Sequence, residues 1–237
     1  MMEQRFQELL REKGIELSSP QLQQFHTYYE QLIEWNEKIN LTAITDREAV
    51  YFKHFYDSLT PSFFYDFSRP LSLCDVGAGA GFPSLPLKIC FPDLKVTIVD
   101  SLNKRIHFLT SLIDALGLKN VEVHHARAEL FAKKSEFRES FDVVTARAVA
   151  KLPVLCEYCL PLARTGGDFL AMKGASIQPE LEESERAIEL LGGQLESVES
   201  LLIPGEMSKR HIVRISKQAG TPASYPRKPG TPNKRPL

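Results

Sequence analysis

From residue 71 onward the chain alternates short apolar runs with amphipathic stretches, and this alternation predicts most of the architecture. The runs at 71–76, 96–99, 121–125, 141–146 and 169–172 have the length and composition of buried strands. Between them apolar residues recur at helical period: just after Gly81, over 103–116 with Gly117 as C-cap, over 152–163 and over 180–191. Strands alternating with helices predict a parallel sheet covered on both faces. Two last runs, 195–203 and 210–216, predict an antiparallel hairpin that closes the sheet. The first sixty residues read differently. Phe6, Leu9 and Leu10 mark one amphipathic helix, and Ser19-Pro20 predicts an N-cap followed by proline at the first helical position. A stripe of Leu22, Phe25, Tyr29, Leu32, Ile33 and Ile39, widened by Tyr28 and Trp35, predicts a helix packed on the main body. Thr45 with Glu48 predicts a capping box opening a helix through Leu59, and 61–70 reads as a linker. The division expected is a helical extension (1–68), an α/β unit (69–217) and a Pro-rich basic tail (218–237).

Composition narrows the class without naming it. An apolar share of 43% and a charged share of 25% belong to an ordinary soluble protein, and no apolar run is long enough to span a bilayer. With no signal-peptide pattern and four cysteines, a cytoplasmic protein without a disulfide framework or membrane attachment is expected. Cys156-x-x-Cys159 lies inside an amphipathic helical pattern with no second pair nearby, so two buried small side chains are expected there and no metal. Net charge is −1, but its distribution is uneven. No acid follows Glu206, while Lys209, Arg210, Arg214, Lys217, Arg227, Lys228, Lys234 and Arg235 do. Such an end suits either a polyanion footprint or a solvated tail.

Candidate chemistry gathers at predicted strand ends. The first strand runs into Asp75-Val-Gly77-Ala-Gly79-Ala-Gly81-Phe82. Glycines at that spacing allow a strand to turn sharply into a helix with free N–H groups facing a nucleotide. The second strand ends in Asp100, 19 residues beyond Gly81, close to the ~20-residue spacing of a ribose-binding carboxylate. Glu129, Arg147 and Lys173 follow later strands, again at the edge where open α/β sheets bind ligands. There is no GxxxxGK[ST] phosphate loop and no GxSxG elbow. NAD and S-adenosylmethionine fit these features equally well. His54, on the helix after Glu48, is open to an RNA-facing, catalytic or structural role.

The GxGxG loop, the acid two residues before it and the terminal hairpin resemble class I S-adenosylmethionine methyltransferases with their Rossmann-like sheet. Several further motifs sharpen the likeness over nearly the whole chain: Asn40-Leu-Thr-Ala-Ile-Thr45, Lys53-His54-x-x-Asp57-Ser58-Leu59, Asp75 to Pro83, Ala146-Arg147-Ala148, Met172-Lys173-Gly174 and the ending from Tyr225 to Lys234. Together they resemble the glucose-inhibited division protein B family, bacterial methyltransferases acting at guanine N7 in the 530-loop region of 16S ribosomal RNA. Ala78 and Ser84 stand where the family often has Ser and Gly, and both remain small. The resemblance implies S-adenosylmethionine as cofactor and 16S RNA or the small ribosomal subunit as partner, with a monomer expected. It implies that Gly77 and Phe82, in the turn with Asp75, Gly79 and Gly81, meet the methionine moiety. Asp100, Ser101 and Leu102 would meet the ribose and adenine edge, and Ala128 and Glu129 the adenine ring. Arg147 would lie beside the methyl donor, orienting cofactor or RNA together with Lys173. Lys53, His54, Lys209, Arg210, Arg214, Arg227, Lys228, Lys234 and Arg235 are the candidate RNA contacts. Guanine N7 offers a lone pair that needs no deprotonation, so no general base is expected. Thr145-Ala-Arg-Ala also lacks the Asn/Asp-Pro-Pro-aromatic run of amino-group methyltransferases. A protein or small-molecule substrate on the same fold, or a nucleotide- or RNA-binding module without activity, are the alternatives, since one fold hosts many functions.

Overall fold

A computed structural model describes residues 2–205 and 209–237. Helix α1 (Met2–Arg11) and helix α2 (Ser19–Ile39) come first. A third helical run follows, made of α3 (Arg47–Val50), a π-helical stretch (Tyr51–Tyr56), α4 (Asp57–Leu59) and a 3-10 turn (Thr60–Phe63). Both expected caps shift by one residue. Ser18, not Ser19, caps α2, because the Gln21 side chain reaches back to the Ser18 N–H at 2.8 Å and completes the box there. Asp46, not Thr45, caps α3, its carboxylate accepting the Ala49 N–H at 2.9 Å.

The α/β part runs β1 (Ser72–Val76), α5 (Ser84–Cys90), β2 (Lys95–Asp100), α6 (Asn103–Leu116), β3 (Val121–His125), α7 (Ala128–Phe131), β4 (Phe141–Arg147), α8 (Leu152–Cys159), β5 (Ala163–Lys173), α9 (Gln178–Leu190), β6 (Gly193–Leu202) and β7 (Lys209–Lys217), with α10 (Thr231–Lys234) in the tail. The seven strands lie in the order β3-β2-β1-β4-β5-β7-β6. Pairing is parallel from β3 through β5, and β7 runs antiparallel to both β5 and β6. Order reverses between β1 and β4, which makes their carboxyl ends the switch point where ligands of open sheets bind.

Strand β5 is longer than expected, starting at Ala163 instead of 169. Gly166-Gly167 breaks the sequence pattern but not the strand. Gly167 is where the backbones close up, since a Cβ there would lie 2.7 Å from the Asp142 carbonyl oxygen. Helix α5 starts later than expected, at Ser84, because 78–83 forms a turn in which the Gly81 and Phe82 N–H groups both donate to the Ala78 carbonyl at 2.9 Å.

Alternate residues of the central strands feed two cores. Leu73, Val143 and Leu170 face one side, with α5 and α6 and the aromatic residues Phe6, Phe25, Tyr28 and Phe55 of the N-terminal helices. Cys74, Val144 and Phe169 face the other, with α8 and α9. The stripe on α2 therefore serves packing: Phe25, Tyr28 and Leu32 are buried, and Trp35 meets Phe108 edge-on at 5.7 Å. Cys156 and Cys159 are both buried in α8, where burial pushes their thiols up. Among the described residues no helix is long and apolar enough to cross a membrane.

Candidate functional site

A first cavity of about 450 Å³, within the range of small-ligand clefts, opens at the carboxyl ends of β1, β2 and β4. Gly77, Asp100, Ser101, Ala128 and Glu129 line it, so these expected contacts come together in space. Gly77 has φ +75°, and its missing side chain matters: a Cβ would stand 2.7 Å from Val149 Cγ2 in the loop after β4. Asp100 is 2% exposed and tightly held. Its Oδ2 accepts the Gly79 N–H at 3.1 Å and the Arg105 guanidinium at 3.2 Å, while Oδ1 accepts the Leu102 N–H at 2.9 Å. The glycine turn and the acid of the next strand thus form one unit.

Asp75, Gly79, Gly81, Phe82 and Leu102 do not line this cavity; the first four form the turn and its support, while Leu102, 46% exposed, stands at the start of α6. Asp75 is fully buried, and its Oδ2 accepts the Ser84 N–H at 3.1 Å, which ties the start of α5 to β1. Burial pushes its carboxyl up to about 7, against the opposing pull of the Ser84 hydrogen bonds and the Arg147 charge. At Gly81 a Cβ would meet Leu85 and the Tyr28 hydroxyl, both at 2.6 Å. That hydroxyl donates to the Ala80 carbonyl at 2.6 Å, locking α2 onto the turn. Phe82 stacks on Tyr28 (5.4 Å, 10°) and on His54 (4.7 Å, 21°).

A second cavity of about 500 Å³ adjoins the first at Ala148, which lines both. Lys53, His54, Asp57, Arg147, Lys173 and Arg210 border it, a predominantly cationic set. The π-helical stretch and the turn after it bring Lys53, His54 and Asp57 to this edge. Arg147 donates to Asp57 Oδ2 at 2.8 Å and to the His54 carbonyl at 3.4 Å, with its guanidinium 4.8 Å from the Phe82 ring centre. Arg210 lies 3.7 Å from the other Asp57 oxygen. Lys173 pairs with Glu180 at 2.7 Å and donates to the Ala150 carbonyl at 3.0 Å, holding the loop after β4. His54 is bonded through Nε2 to the Thr42 hydroxyl at 2.8 Å. Burial first, and the Arg147 charge second, push its imidazole down to about 4, so it is neutral near pH 7.

The remaining basic candidates scatter. Lys209 is exposed at the start of β7, next in sequence to Arg210 but not in the lining of the second cavity. Arg214 lies further along β7, paired with Asp168 at 2.8 Å and over the Tyr65 ring, away from both cavities. The tail is not the free arm its composition suggested. Arg227 pairs with Glu157 at 2.6 Å; the Glu157 side chain is 1% exposed and that of Arg227 25%. Lys228, Lys234 and Arg235 remain exposed. Two groups of site residues went unassigned from sequence. Asp57 stands within the Lys53-His54-x-x-Asp57 motif, which was a usable signal. Gly230 and Asn233, both lining the first cavity, lie within the Tyr225-to-Lys234 motif, but nothing local there points to the cofactor side; only folding brings the tail to this cavity.

Comparison with known proteins gives the geometry a context. The family model described as rRNA small subunit methyltransferase G matches residues 21–213. A relative from Geobacillus thermodenitrificans, named ribosomal RNA small subunit methyltransferase G, is 62% identical over 98% of this chain and 98% of its own length. One of the same name from Bacillus cytotoxicus is 61% identical over 99% of this chain and 98% of its own. Among solved structures, TYW2 of M. jannaschii in complex with AdoMet superposes with a TM-score of 0.54 at 16% identity, covering 69% of this chain and 76% of that one. A mutant of the 16S rRNA (adenine(1408)-N(1))-methyltransferase from Catenulisporales acidiphilia gives 0.52 at 16% identity, covering 70% and 90%. At that identity the two structures speak for the shared methyltransferase fold alone.

Proposed function

This chain belongs to the rRNA small subunit methyltransferase G family, and we propose that it moves a methyl group from S-adenosylmethionine to N7 of a guanine in the 530-loop region of 16S ribosomal RNA. The observation that carries this reading is the meeting of two unlike cavities at Ala148, one built from the glycine turn and Asp100, the other bordered by cations.

The first cavity fits a nucleoside. Asp100 is a buried carboxylate pinned by two backbone N–H groups, with acceptor capacity left on Oδ1 for a ribose hydroxyl. Gly77 leaves its backbone open to a ligand, and Ser101, Ala128 and Glu129 border the same space. When bound, S-adenosylmethionine supplies a methyl group already activated by its sulfonium. Gly77, Asp100 and Glu129 would hold and orient it, beside the loop 148–150 that Lys173 braces through the Ala150 carbonyl.

The second cavity takes the base. Lys53, Arg210 and the exposed Lys209 supply positive charge for the RNA backbone. Arg147 lines the second cavity next to the shared Ala148, fixed by Asp57 and by the Phe82 ring, and positions the two reactants without exchanging a proton. Guanine N7 attacks through its own lone pair, so the base loses no proton in the step. The surroundings agree: His54 at about 4 is too weak a base to collect a proton at neutral pH. Rate enhancement then comes from alignment and from a site shielded from water.

The test is transfer of labelled methyl from S-adenosylmethionine to small-subunit rRNA that lacks the modification, followed by chain cleavage at 7-methylguanine. Cleavage in the 530 loop is the expected result. Label at another atom or base, or in protein, overturns the assignment.

A further inference from the structure

The last twenty residues combine five prolines with unopposed positive charge, which suggests a solvated arm. They fold back along the body instead, through three successive anchors. At the base, the buried Lys217 ammonium pairs with Glu139 at 3.1 Å and donates to the Leu160 carbonyl at 2.7 Å. Next, the Arg138 guanidinium donates to the carbonyls of Thr221 and Tyr225, each at 2.8 Å. Third, Arg227 grips Glu157 through its guanidinium and its own backbone N–H, at 2.6 and 2.7 Å. Beyond these anchors the Gly230 N–H donates to Glu129 Oε1 at 2.8 Å, and Gly230 and Asn233 line the first cavity with Asp100 and Ser101.

We propose that residues 225–234 form a strap that is part of the cofactor site: Gly230 positions the Glu129 carboxylate through its N–H, and Asn233 is a specificity-determining residue for the purine end of the bound nucleoside. Glu129 is 4% exposed, and a buried carboxylate keeps its orientation only through its hydrogen-bond partners. One of those partners belongs to the strap, over a separation of 101 residues. An asparagine amide carries a donor and an acceptor side by side, the pattern that matches the amino group and adjacent ring nitrogen of adenine. The inference rests on the first cavity holding S-adenosylmethionine, and deepens that reading.

The experiment is calorimetric titration of the full chain with S-adenosylhomocysteine and with its 6-oxo analogue, S-inosylhomocysteine, with thermal melts to confirm folding. Asn233→Ala should weaken the adenosyl ligand about tenfold, one good hydrogen bond's worth, and erase the preference over the inosyl ligand. Gly230→Ala has open space for its Cβ but sits at φ +82°, so it disturbs the N–H direction without a clash. It should weaken both ligands severalfold. Arg186→Ser, at an exposed position of α9 away from both cavities, should leave both affinities within twofold of the parent. Overturning results are Asn233→Ala binding the adenosyl ligand as the parent does, or losing both ligands equally. Failure of the parent chain to bind S-adenosylhomocysteine at all would bring down the cofactor assignment itself and the strap with it, which distinguishes the two failures.

Discussion

Arg227→Met isolates the strongest anchor of the C-terminal strap. Glu157 is 1% exposed at its side chain, and among the described residues Arg227 supplies its donors: Nε at 2.9 and 3.1 Å, Nη2 at 2.6 Å and the backbone N–H at 2.7 Å. Methionine keeps the stem and the backbone contact but removes the charge, so a carboxylate is left in apolar surroundings with one donor. Breaking a buried pair from one side costs about 3–5 kcal/mol. For a chain of this size, about 2–4 °C of melting temperature accompanies each kcal/mol, which predicts a fall of roughly 6–20 °C at pH 8. Glu157→Gln/Arg227→Met removes both charges and retains an acceptor for the Arg227 backbone N–H, and should recover most of the loss. Differential scanning calorimetry of the three proteins at pH 8 provides the measurement. A fall below 2 °C, or a double variant no better than the single one, would refute the reasoning.

Asp75→Asn should flatten stability against pH. The native carboxyl at about 7 holds its proton while the unfolded one, at 3.8, releases it, so the parent loses stability as pH rises between those values, by at most about 4 kcal/mol; unchanged melting slopes over pH 4–8 would count against it. In Arg147→Gln the second cause of the low His54 value disappears, so the imidazole should titrate above about 4, read from its ring-proton NMR shift, and an unmoved titration would mean that burial alone sets it. Methyl transfer by the same variant should fall at every pH alike, since Arg147 positions and does not exchange protons; a new inflection in the rate profile would argue otherwise. Lys53→Ser or Lys209→Ser should each lower the salt slope of RNA binding by about one while leaving S-adenosylhomocysteine affinity intact, and filter binding across a salt titration would expose the opposite result.

The sheet was readable because its signals are local. Helix α6 and strand β3 occupy the expected residues, since Gly117 at φ +62° closes one and Val121 and Val123 at alternate positions mark the other. Asp100 and the glycine turn were also legible as a pair, because the spacing that suggests ribose binding places both at adjacent strand ends. Cap positions were less so. Ser18 and Ser19 are equally good caps on paper, and only the reach of Gln21 decides between them. The tail misled most. Pro, Gly, Lys and Arg in mixture describe a solvated arm, while its carboxylate partners Glu129, Glu139 and Glu157 lie in three separate earlier elements and loops. Such pairing depends on long-range topology, which composition cannot carry. The roles of Asp75 and Phe82 blurred for a related reason: motif position marked them near a ligand, yet their side chains stabilise the turn from its buried side.

The topology itself explains why two cavities adjoin where they do. Reversal of strand order between β1 and β4 sends the loops after them in opposite directions, leaving a crevice between. The β4 loop must then serve both sides, and it does so through Ala148, a non-glycine residue at φ +56°. That conformation costs about 1–2 kcal/mol for an L-residue, and such strain concentrates where structure over-determines a geometry. Here it turns consecutive side chains to different tasks. Val149 closes on Gly77 at the first cavity, while Arg147 points into the second, onto Asp57. Neither half of the sheet supplies both surfaces. The glycine turn and Asp100 come from the β1–β2 side, Lys173 and Arg210 from the β5–β7 side, and Lys53, His54 and Asp57 from the helical run packed beside them. A methyl donor and a base held in those two spaces would meet at the one residue common to both, so the strained backbone at Ala148 is what makes the juxtaposition possible.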